Sequence, residues 1–254
     1  MSSLVTIMCK YCGSHDHTIV SCEHLTVHHE ADACDVCAKK RRVKLFSSSS
    51  KSSASLYASQ SYWQNRYENT THEAAGSGRN EWFVSFDALR DVLVPLAPVV
   101  NALDIGCGMS LLSEELLVHK IASKVTAIDF SDVAIEHMRK RSSSVGLEYI
   151  WMDATGLKFK DHSFDFVIEK GTLDALLTDE SENSDMNSKG TKLLSEVKRV
   201  LSDEGGTFVS VSHTETREKE LNKCGFQVNL CKEVKNVARS YYVYVCRLDE
   251  KNDN

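Results

Sequence analysis

Three carboxylates and a pair of glycines are spaced as a ligand-binding edge would space them. Leu103-Asp104-Ile105-Gly106-Cys107-Gly108 follows an apolar run and opens a stretch of helical periodicity. Glycines at 106 and 108 let the backbone turn tightly and come close to a ligand. The third glycine of a dinucleotide-binding turn is replaced by Leu111, so that fingerprint is incomplete and the pair alone is a weak motif. Asp129 ends the next apolar run, 25 residues after Asp104, and Asp153 closes a third, 24 residues further on. A carboxylate after the second strand can accept both hydroxyls of an adenosine ribose. One after the third strand can meet an adenine amino group. Taken singly, each Asp reads equally well as a turn or cap residue. The ordered set reads as a nucleoside site.

A second cluster has different chemistry. Five of the nine Cys and five of the ten His fall before residue 38. Cys9-x2-Cys12-x4-His17-x4-Cys22 has the spacing of a CCHC zinc knuckle, with Gly13 after the second Cys and Asp16 where a Gly usually precedes the His. Four such ligands suit a closed tetrahedral structural Zn²⁺. Cys34-x2-Cys37 is left over. It joins two of His24, His28 and His29 in a second site, or combines with Cys9 and Cys12 in a single ribbon-like site. No ligand set here leaves an open position beside a base, so catalytic zinc is not expected.

The elements that must position these residues follow from periodicity. Val99–Ile105, Lys124–Asp129, Leu147–Met152, Phe164–Glu169 and Thr207–Ser212 read as strands. Leu111–His119, Val133–Arg141 and Lys192–Leu201 carry apolar residues at helical spacing, and Ser131-Asp132 is a helix start. Alternation of this kind predicts βαβ units: an α/β, doubly wound, mostly parallel sheet with helices on both faces. Phe226–Cys231 and Tyr241–Leu248 have no helical pattern between them and predict an antiparallel C-terminal pair. Residues 178–190 read as a polar loop. The expected organisation is a zinc-binding module over 1–45 ending in the basic run Lys39–Lys44, a linker over 46–60, a main domain over 61–248 and a disordered tail over 249–254. The linker assignment rests on nine Ser in residues 47–61.

With 254 residues, 42% of them apolar, the chain is long enough for one sizeable core. Residues 1–60 carry a net charge of +2 and the remainder −8, so wholesale binding of nucleic acid or an anionic membrane by the main domain is not expected. No apolar run approaches the ~18 residues of a membrane-spanning helix. The first residues, MSSLVTIMCK, have neither a charged stretch leading into an apolar one nor an Arg-rich amphipathic pattern, so secretory and mitochondrial routing are not expected. The odd Cys count favours reduced thiols. A cytoplasmic location is expected, with Lys39–Lys44 also readable as a nuclear-import signal. The absence of heptads leaves a monomer as the expected state.

LDIGCG, then AIDFS, MDA and FDFVIEKGTLDAL, resembles the class I S-adenosylmethionine-dependent methyltransferases, whose sheet has seven strands. With SYWQNRY at 61–67 and EWFVSF at 81–86, the chain is similar to the group holding the lysine methyltransferases of translation elongation factor 1-alpha and of citrate synthase. The resemblance covers roughly residues 61–248 and not the first 45. It implies S-adenosylmethionine as cofactor. Asp104, Gly106 and Gly108 would lie in its glycine loop, with Gly106 against the methionine part. Asp129 and Phe130 would hold the ribose and flank adenine, and Asp153 and Ala154 would meet the adenine edge. Lys170 would contact the cofactor, and Trp63, Tyr67 and Trp82 would help close over it. Plain core packing is the other reading of those three rings.

The implied reaction moves a methyl group from a sulfonium to an amine. A lysine acceptor must first lose its proton, because ammonium has no lone pair and its ordinary pKa is about 10.4. Glu169, ending the fourth strand, is expected to orient the amine or relay its proton, with Asp174 as the alternative. A salt bridge to Lys170 or a helix cap is the other reading of Glu169. The expected partner is a protein presenting a lysine, and a basic one would suit the acidic main domain. The N-terminal module would dock that protein or bind RNA. Two further readings stay open: a zinc-dependent adaptor on a methyltransferase scaffold, and methylation of a small molecule.

Overall fold

The computed structural model describes residues 19–21, 27–29, 56–73, 81–178, 188–236 and 239–249. The chain divides into two compact units, Met1–Lys51 and Ser52–Asn254. In the first, β1 (Ile19–Ser21) and β2 (Val27–His29) form an antiparallel pair. The expected zinc ligands Cys9, Cys12, His17, Cys22, Cys34 and Cys37 lie outside the described residues, as do the basic run, most of the linker and residues 250–254.

The second unit begins with α1 (Gln60–Glu73) and α2 (Phe86–Leu93). Then β3 (Val99–Ile105), α3 (Leu112–Val118), β4 (Ala122–Asp129), α4 (Asp132–Arg141) and β5 (Leu147–Trp151) alternate. They are followed by β6 (Phe166–Lys170), α5 (Thr172–Leu176), α6 (Lys189–Val200), β7 (Thr207–Ser212) and α7 (Glu218–Lys223). The chain ends in β8 (Phe226–Lys235) and β9 (Ser240–Leu248). The strands form one sheet in the order β5-β4-β3-β6-β7-β9-β8. The first five neighbours pair in parallel, and β9 runs antiparallel between β7 and β8. The sheet is mostly parallel, as the alternation predicts, with the expected antiparallel pairing at its C-terminal end and the seven strands that the resemblance implies.

Successive residues of the central strands enter different cores, as the two-residue repeat of a strand requires. Phe166 and Ile168 pack with Leu89 and Val92 of α2 and Leu116 of α3 on one face. Val167 packs with Leu193 and Val197 of α6 on the other. β6 is buried along its whole length. The helices over both faces leave the ends of the strands as the place where a ligand can enter.

Strand order reverses at β3. β4 and β5 lie on one side of it, β6 and β7 on the other. In open α/β sheets ligands bind outside the carboxyl ends of strands at such a switch point. Gly106 and Thr172, the residues that follow β3 and open α5, meet there, and the Thr172 hydroxyl donates to the Ile105 carbonyl at 3.1 Å.

Candidate active site

A cavity of about 840 Å³, counting its open mouth, lies at this switch point. Its wall includes Trp63, Tyr67, Trp82, Asp104, Gly106, Gly108, Asp129, Phe130, Asp153, Ala154 and Lys170. Every residue expected to touch the cofactor thus stands on one surface, although more than a hundred positions separate the first from the last. Tyr57, Met152, Thr172 and Leu176 also line it. Tyr57 falls within the Ser-rich stretch read as linker. Its carbonyl accepts from Trp63 Nε1 at 2.7 Å, which ties the end of that stretch to α1.

The glycine loop is a cradle that side chains would fill. Gly106 has φ +69 and a Cβ there would collide with Thr172; Gly108 has φ +52 and a Cβ would collide with the Tyr67 hydroxyl. Asp129, at the end of β4, accepts from the Gly108 amide at 2.9 Å through Oδ2 and from the Ser131 amide at 2.8 Å through Oδ1. The carboxylate therefore locks the loop after β3 to the start of α4, and Ser131 caps that helix through the Ala134 amide at 3.3 Å. Burial pushes the Asp129 carboxyl up to about 6 against the pull of these amides. Asp104 is also raised by burial to about 6, opposed by the Ser113 hydroxyl 2.5 Å from Oδ2. Asp153 turns Oδ1 to the Thr155 amide and hydroxyl, both at 2.8 Å, and Gly156 follows in the same turn.

The aromatic side of the cavity comes from α1 and the segment before α2. Trp63 stacks on Tyr67 with centroids 5.8 Å apart and meets Trp82 edge-on at 5.3 Å. The Arg66 guanidinium lies 5.0 Å from the Trp82 ring centre. Gln60 Nε2 donates to the Phe130 carbonyl at 2.6 Å and Gln64 donates to Asp132, which holds α1 against α4. Lys170 lines the cavity, but its amine is engaged. It donates to the Trp82 carbonyl at 2.6 Å and to Glu81 Oε2 at 3.1 Å. Glu81 also accepts from the Ser110 hydroxyl at 2.9 Å and the Leu111 amide at 2.7 Å. This ion pair ties the Trp82 segment to β6 and to the glycine loop.

The two expected acid–base residues sit elsewhere. Glu169 and Asp174 are buried and are not on the cavity wall. Glu169 accepts from the Leu173 amide at 3.0 Å and from the Ser210 hydroxyl, capping α5. Burial, and next the negative charge of Asp174, raise its carboxyl to about 7. Asp174 accepts from the Ser212 hydroxyl at 2.7 Å, from the His213 amide at 3.1 Å and from Arg217, and lies 3.2 Å from His213 Nδ1. The sequence put both carboxylates at the reacting centre because one ends the β6 run and the other follows it. Glu169 instead lies in register with Ser210 of β7 and bonds it, and Asp174, beyond the Gly171 turn (φ +82), meets Ser212 and His213 at the end of β7. Tyr241 and Tyr244 of β9 are buried and belong to the core. Cys107 is a buried, close-packed thiol raised well above its usual range by burial. Among the described residues there is no cluster of His, Cys, Asp and Glu able to hold a metal ion, and no helix is long and apolar enough to cross a membrane.

Comparison with known proteins agrees with this geometry. Residues 103–209 match the family described as "Methyltransferase domain". Over 162 residues the chain is 41% identical to "EEF1A lysine methyltransferase 4" of Bos taurus, covering 61% of each chain. Over 164 residues it is 35% identical to "eEF1A lysine and N-terminal methyltransferase" of Mus musculus, covering 63% of this chain and 22% of that one. The chain thus spans about three fifths of the first relative and about a fifth of the second. Among solved structures, the N-methyltransferase NodS of Bradyrhizobium japonicum, in complex with S-adenosyl-L-homocysteine, superposes with a TM-score of 0.53 at 18% identity over 73% of this chain and 100% of that one. The chain therefore has the α/β fold of that enzyme and, over residues 103–209, the sequence pattern of the methyltransferase domain family.

Proposed function

We propose that the chain is an S-adenosylmethionine-dependent protein-lysine N-methyltransferase that acts on translation elongation factor 1-alpha. The observation that carries this reading is the single cavity wall on which the glycine loop, Asp129, Phe130, Asp153, Ala154 and the three rings meet. The names of the relatives support the substrate.

The residues fit the cofactor. Asp129 keeps lone pairs for two ribose hydroxyls after its bonds to Gly108 and Ser131. Gly106 and Gly108 leave backbone room for the amino-acid end, with Asp104 beneath. Ile128, Phe130, Met152 and Ala154 give an apolar bed for adenine, with Asp153 at its edge. When bound, S-adenosylmethionine supplies a methyl group on a positively charged sulfur. The chain's own tasks are to exclude water, align an amine with that methyl and remove the amine's proton. Trp63, Tyr67 and Trp82 serve the first task.

For residues 1–45 the reading is a structural Zn²⁺ held by Cys9, Cys12, His17 and Cys22, or by a set that includes Cys34 and Cys37, in a module that docks the substrate protein. It is supported by ligand spacing alone.

The test is transfer of tritium from labelled S-adenosylmethionine to purified elongation factor 1-alpha. The native chain is expected to label a lysine, located by mass spectrometry. Asp129→Ala is expected to lower cofactor affinity by tenfold or more, or roughly 1.5–3 kcal/mol. Cofactor binding by calorimetry with no label on any protein would remove the protein-lysine reading.

A further inference from the structure

The groups that fit the cofactor leave part of the cavity wall over. Thr172, Ala175 and Leu176 of α5 line the cavity, as does Tyr57. The three α5 residues stand at i, i+3 and i+4, so they share one face of the helix. The other face is anchored. Leu173 packs with Leu193 and Val197 of α6, and Asp174 accepts from Ser212 of β7. Held from behind, α5 presents a narrow and mostly apolar strip to the cavity. Beyond the strip the chain reaches the surface at Leu177, which is 38% exposed.

Thr172 is the polar member of the strip. Its hydroxyl donates to the Ile105 carbonyl at 3.1 Å, which commits the proton and leaves the oxygen as an acceptor. Among the described residues no group donates to that oxygen. It lies against Gly106, where a Cβ would collide with it, at the end of the cavity suited to the methionine part of the cofactor. Trp82 stands over the turn that opens the helix; a Cβ at Gly171 would be 2.8 Å from its Cδ1. Lys170 holds the Trp82 carbonyl at 2.6 Å, and Phe83, at φ +67, stacks on the ring with centroids 5.8 Å apart. The Tyr57 ring lies beside Trp82, with centroids 6.2 Å apart.

We propose that this strip is the acceptor-lysine channel, in which Thr172 Oγ1 accepts an N–H of the amine while Ala175, Leu176 and Tyr57 enclose the aliphatic stem. This rests on the protein-lysine reading above. The four steps from Thr172 to Leu176 rise about 6 Å along the helix, which matches the reach of lysine's four-carbon stem. Apolar walls suit that stem, and the small side chain of Ala175 leaves it room. A hydroxyl free to donate would tie up the amine's lone pair; the Ile105 carbonyl prevents this by holding the Thr172 proton. The apolar walls also disfavour the charged amine, so the ammonium gives its proton to water at the open mouth. Inside, the neutral amine donates one N–H to Thr172 and keeps its lone pair free. That pair forms the N–C bond as the methyl–sulfur bond breaks, and the electrons of the broken bond stay on sulfur. The methylated nitrogen, now cationic, returns a proton to water on leaving.

The experiment uses the full chain, elongation factor 1-alpha and three variants. Thr172→Val keeps the side-chain shape and removes the acceptor; it is expected to lower kcat/KM for the protein about tenfold, the worth of one hydrogen bond. Thr172→Ser keeps the hydroxyl and should recover most of that loss. Ala175→Leu fills the channel and should lower transfer by about 10²-fold, as misplacement of an acceptor does. Affinity for S-adenosylhomocysteine, by calorimetry, should stay within about twofold of native in all three. A readout without turnover runs in parallel. Nα-acetyl-lysine methylamide is added to the chain bound to S-adenosylhomocysteine, and saturation transfer to its methylenes is followed by NMR. The signal should appear with the native chain and vanish with Ala175→Leu. Native transfer in Ala175→Leu overturns the proposal, and so does a Thr172→Ser no faster than Thr172→Val. A cofactor affinity that falls in step with the rate also overturns it, because the strip would then belong to the cofactor. If Ala175→Leu does not fold, the two Thr172 variants still decide. A native chain that labels no protein but binds the lysine probe, with the signal lost in Ala175→Leu, overturns the protein-substrate reading and keeps the channel. No label and no probe signal overturns both.

Discussion

Burial acts on three carboxylates that end adjacent strands, and their titration gives the residue-scale predictions. Asp129 is raised to about 6, so it is ionised at neutral pH and protonated below. The ionised form is the better acceptor for ribose hydroxyls. Affinity for S-adenosylhomocysteine, measured by calorimetry, is therefore expected to be flat above about pH 7 and to weaken below about pH 6. Asp129→Asn should bind more weakly at pH 8 and keep only the part of that decline that Asp104 contributes. Glu169 concerns stability instead. Its carboxyl is raised from an ordinary 4.5 to about 7, so the folded state holds the proton more tightly than the unfolded one. That contribution is complete below about pH 4.5 and is lost as pH rises to about 7. Glu169→Gln, whose amide can still meet Ser210 and the Leu173 amide, should gain on the native chain between those limits and level off above them. Urea unfolding across pH 4.5–8 tests this; a constant difference between the two proteins would contradict it.

At the scale of elements, the turn between β6 and α5 decides what faces the cavity. Gly171 stands at φ +82 beneath Trp82 and Phe83, and the helix it opens carries Asp174 to Ser212 and His213 at the end of β7. Gly171→Ala adds left-handed strain of roughly 1–2 kcal/mol and pushes the rings outward. Both a lower melting temperature and weaker cofactor binding are expected, read by calorimetry on the same sample. Loss of stability with native affinity would detach the turn from the cavity. Elements were unequally legible. β3, β4, β5, β6 and β7 follow from apolar runs, although β4 starts at Ala122 and β8 reaches Lys235, past the runs themselves. α2 buries Phe86, Leu89, Val92 and Leu93, a helical spacing present in the sequence but obscured by its short length and the EWFVSF run before it. α1 is polar on nearly every side and is held by Gln60, Gln64 and its rings, so no periodicity announces it. α5 and α7, at five and six residues, are too short to show one.

At the scale of the molecule, the two units separate two chemistries. All cavity residues lie in Ser52–Asn254, and all expected zinc ligands in Met1–Lys51. A chelator is therefore expected to release Zn²⁺ from the full chain, measured by atomic emission, while affinity for S-adenosylhomocysteine stays within about twofold. A large fall in that affinity would show that the metal supports the cavity. Saturation with the cofactor product at 100 times its Kd should stabilise the chain by about 2.7 kcal/mol, and Asp129→Ala should abolish most of that gain at the same concentration.

The alternation of strands and helices, and the glycines and Asp residues that now line one cavity, were in the sequence, because they depend on local quantities. Those are apolar periodicity, glycines where backbone must come close, and carboxylates at strand ends. The reading of Trp63, Tyr67 and Trp82 as cavity rings came from resemblance, since spacing alone left core packing equally open. Tertiary structure decided the remainder. Tyr57 reaches the cavity because Trp63 binds its carbonyl. The Glu81–Lys170 pair, 89 positions apart, forms only when the segment before α2 lies against the end of β6, and the Asp174–His213 pair, 39 apart, only when β6 and β7 lie side by side. A side chain's direction beyond a turn depends on one backbone angle, and the angles at Phe83 and Gly171 are fixed by what packs on them, not by their neighbours in sequence.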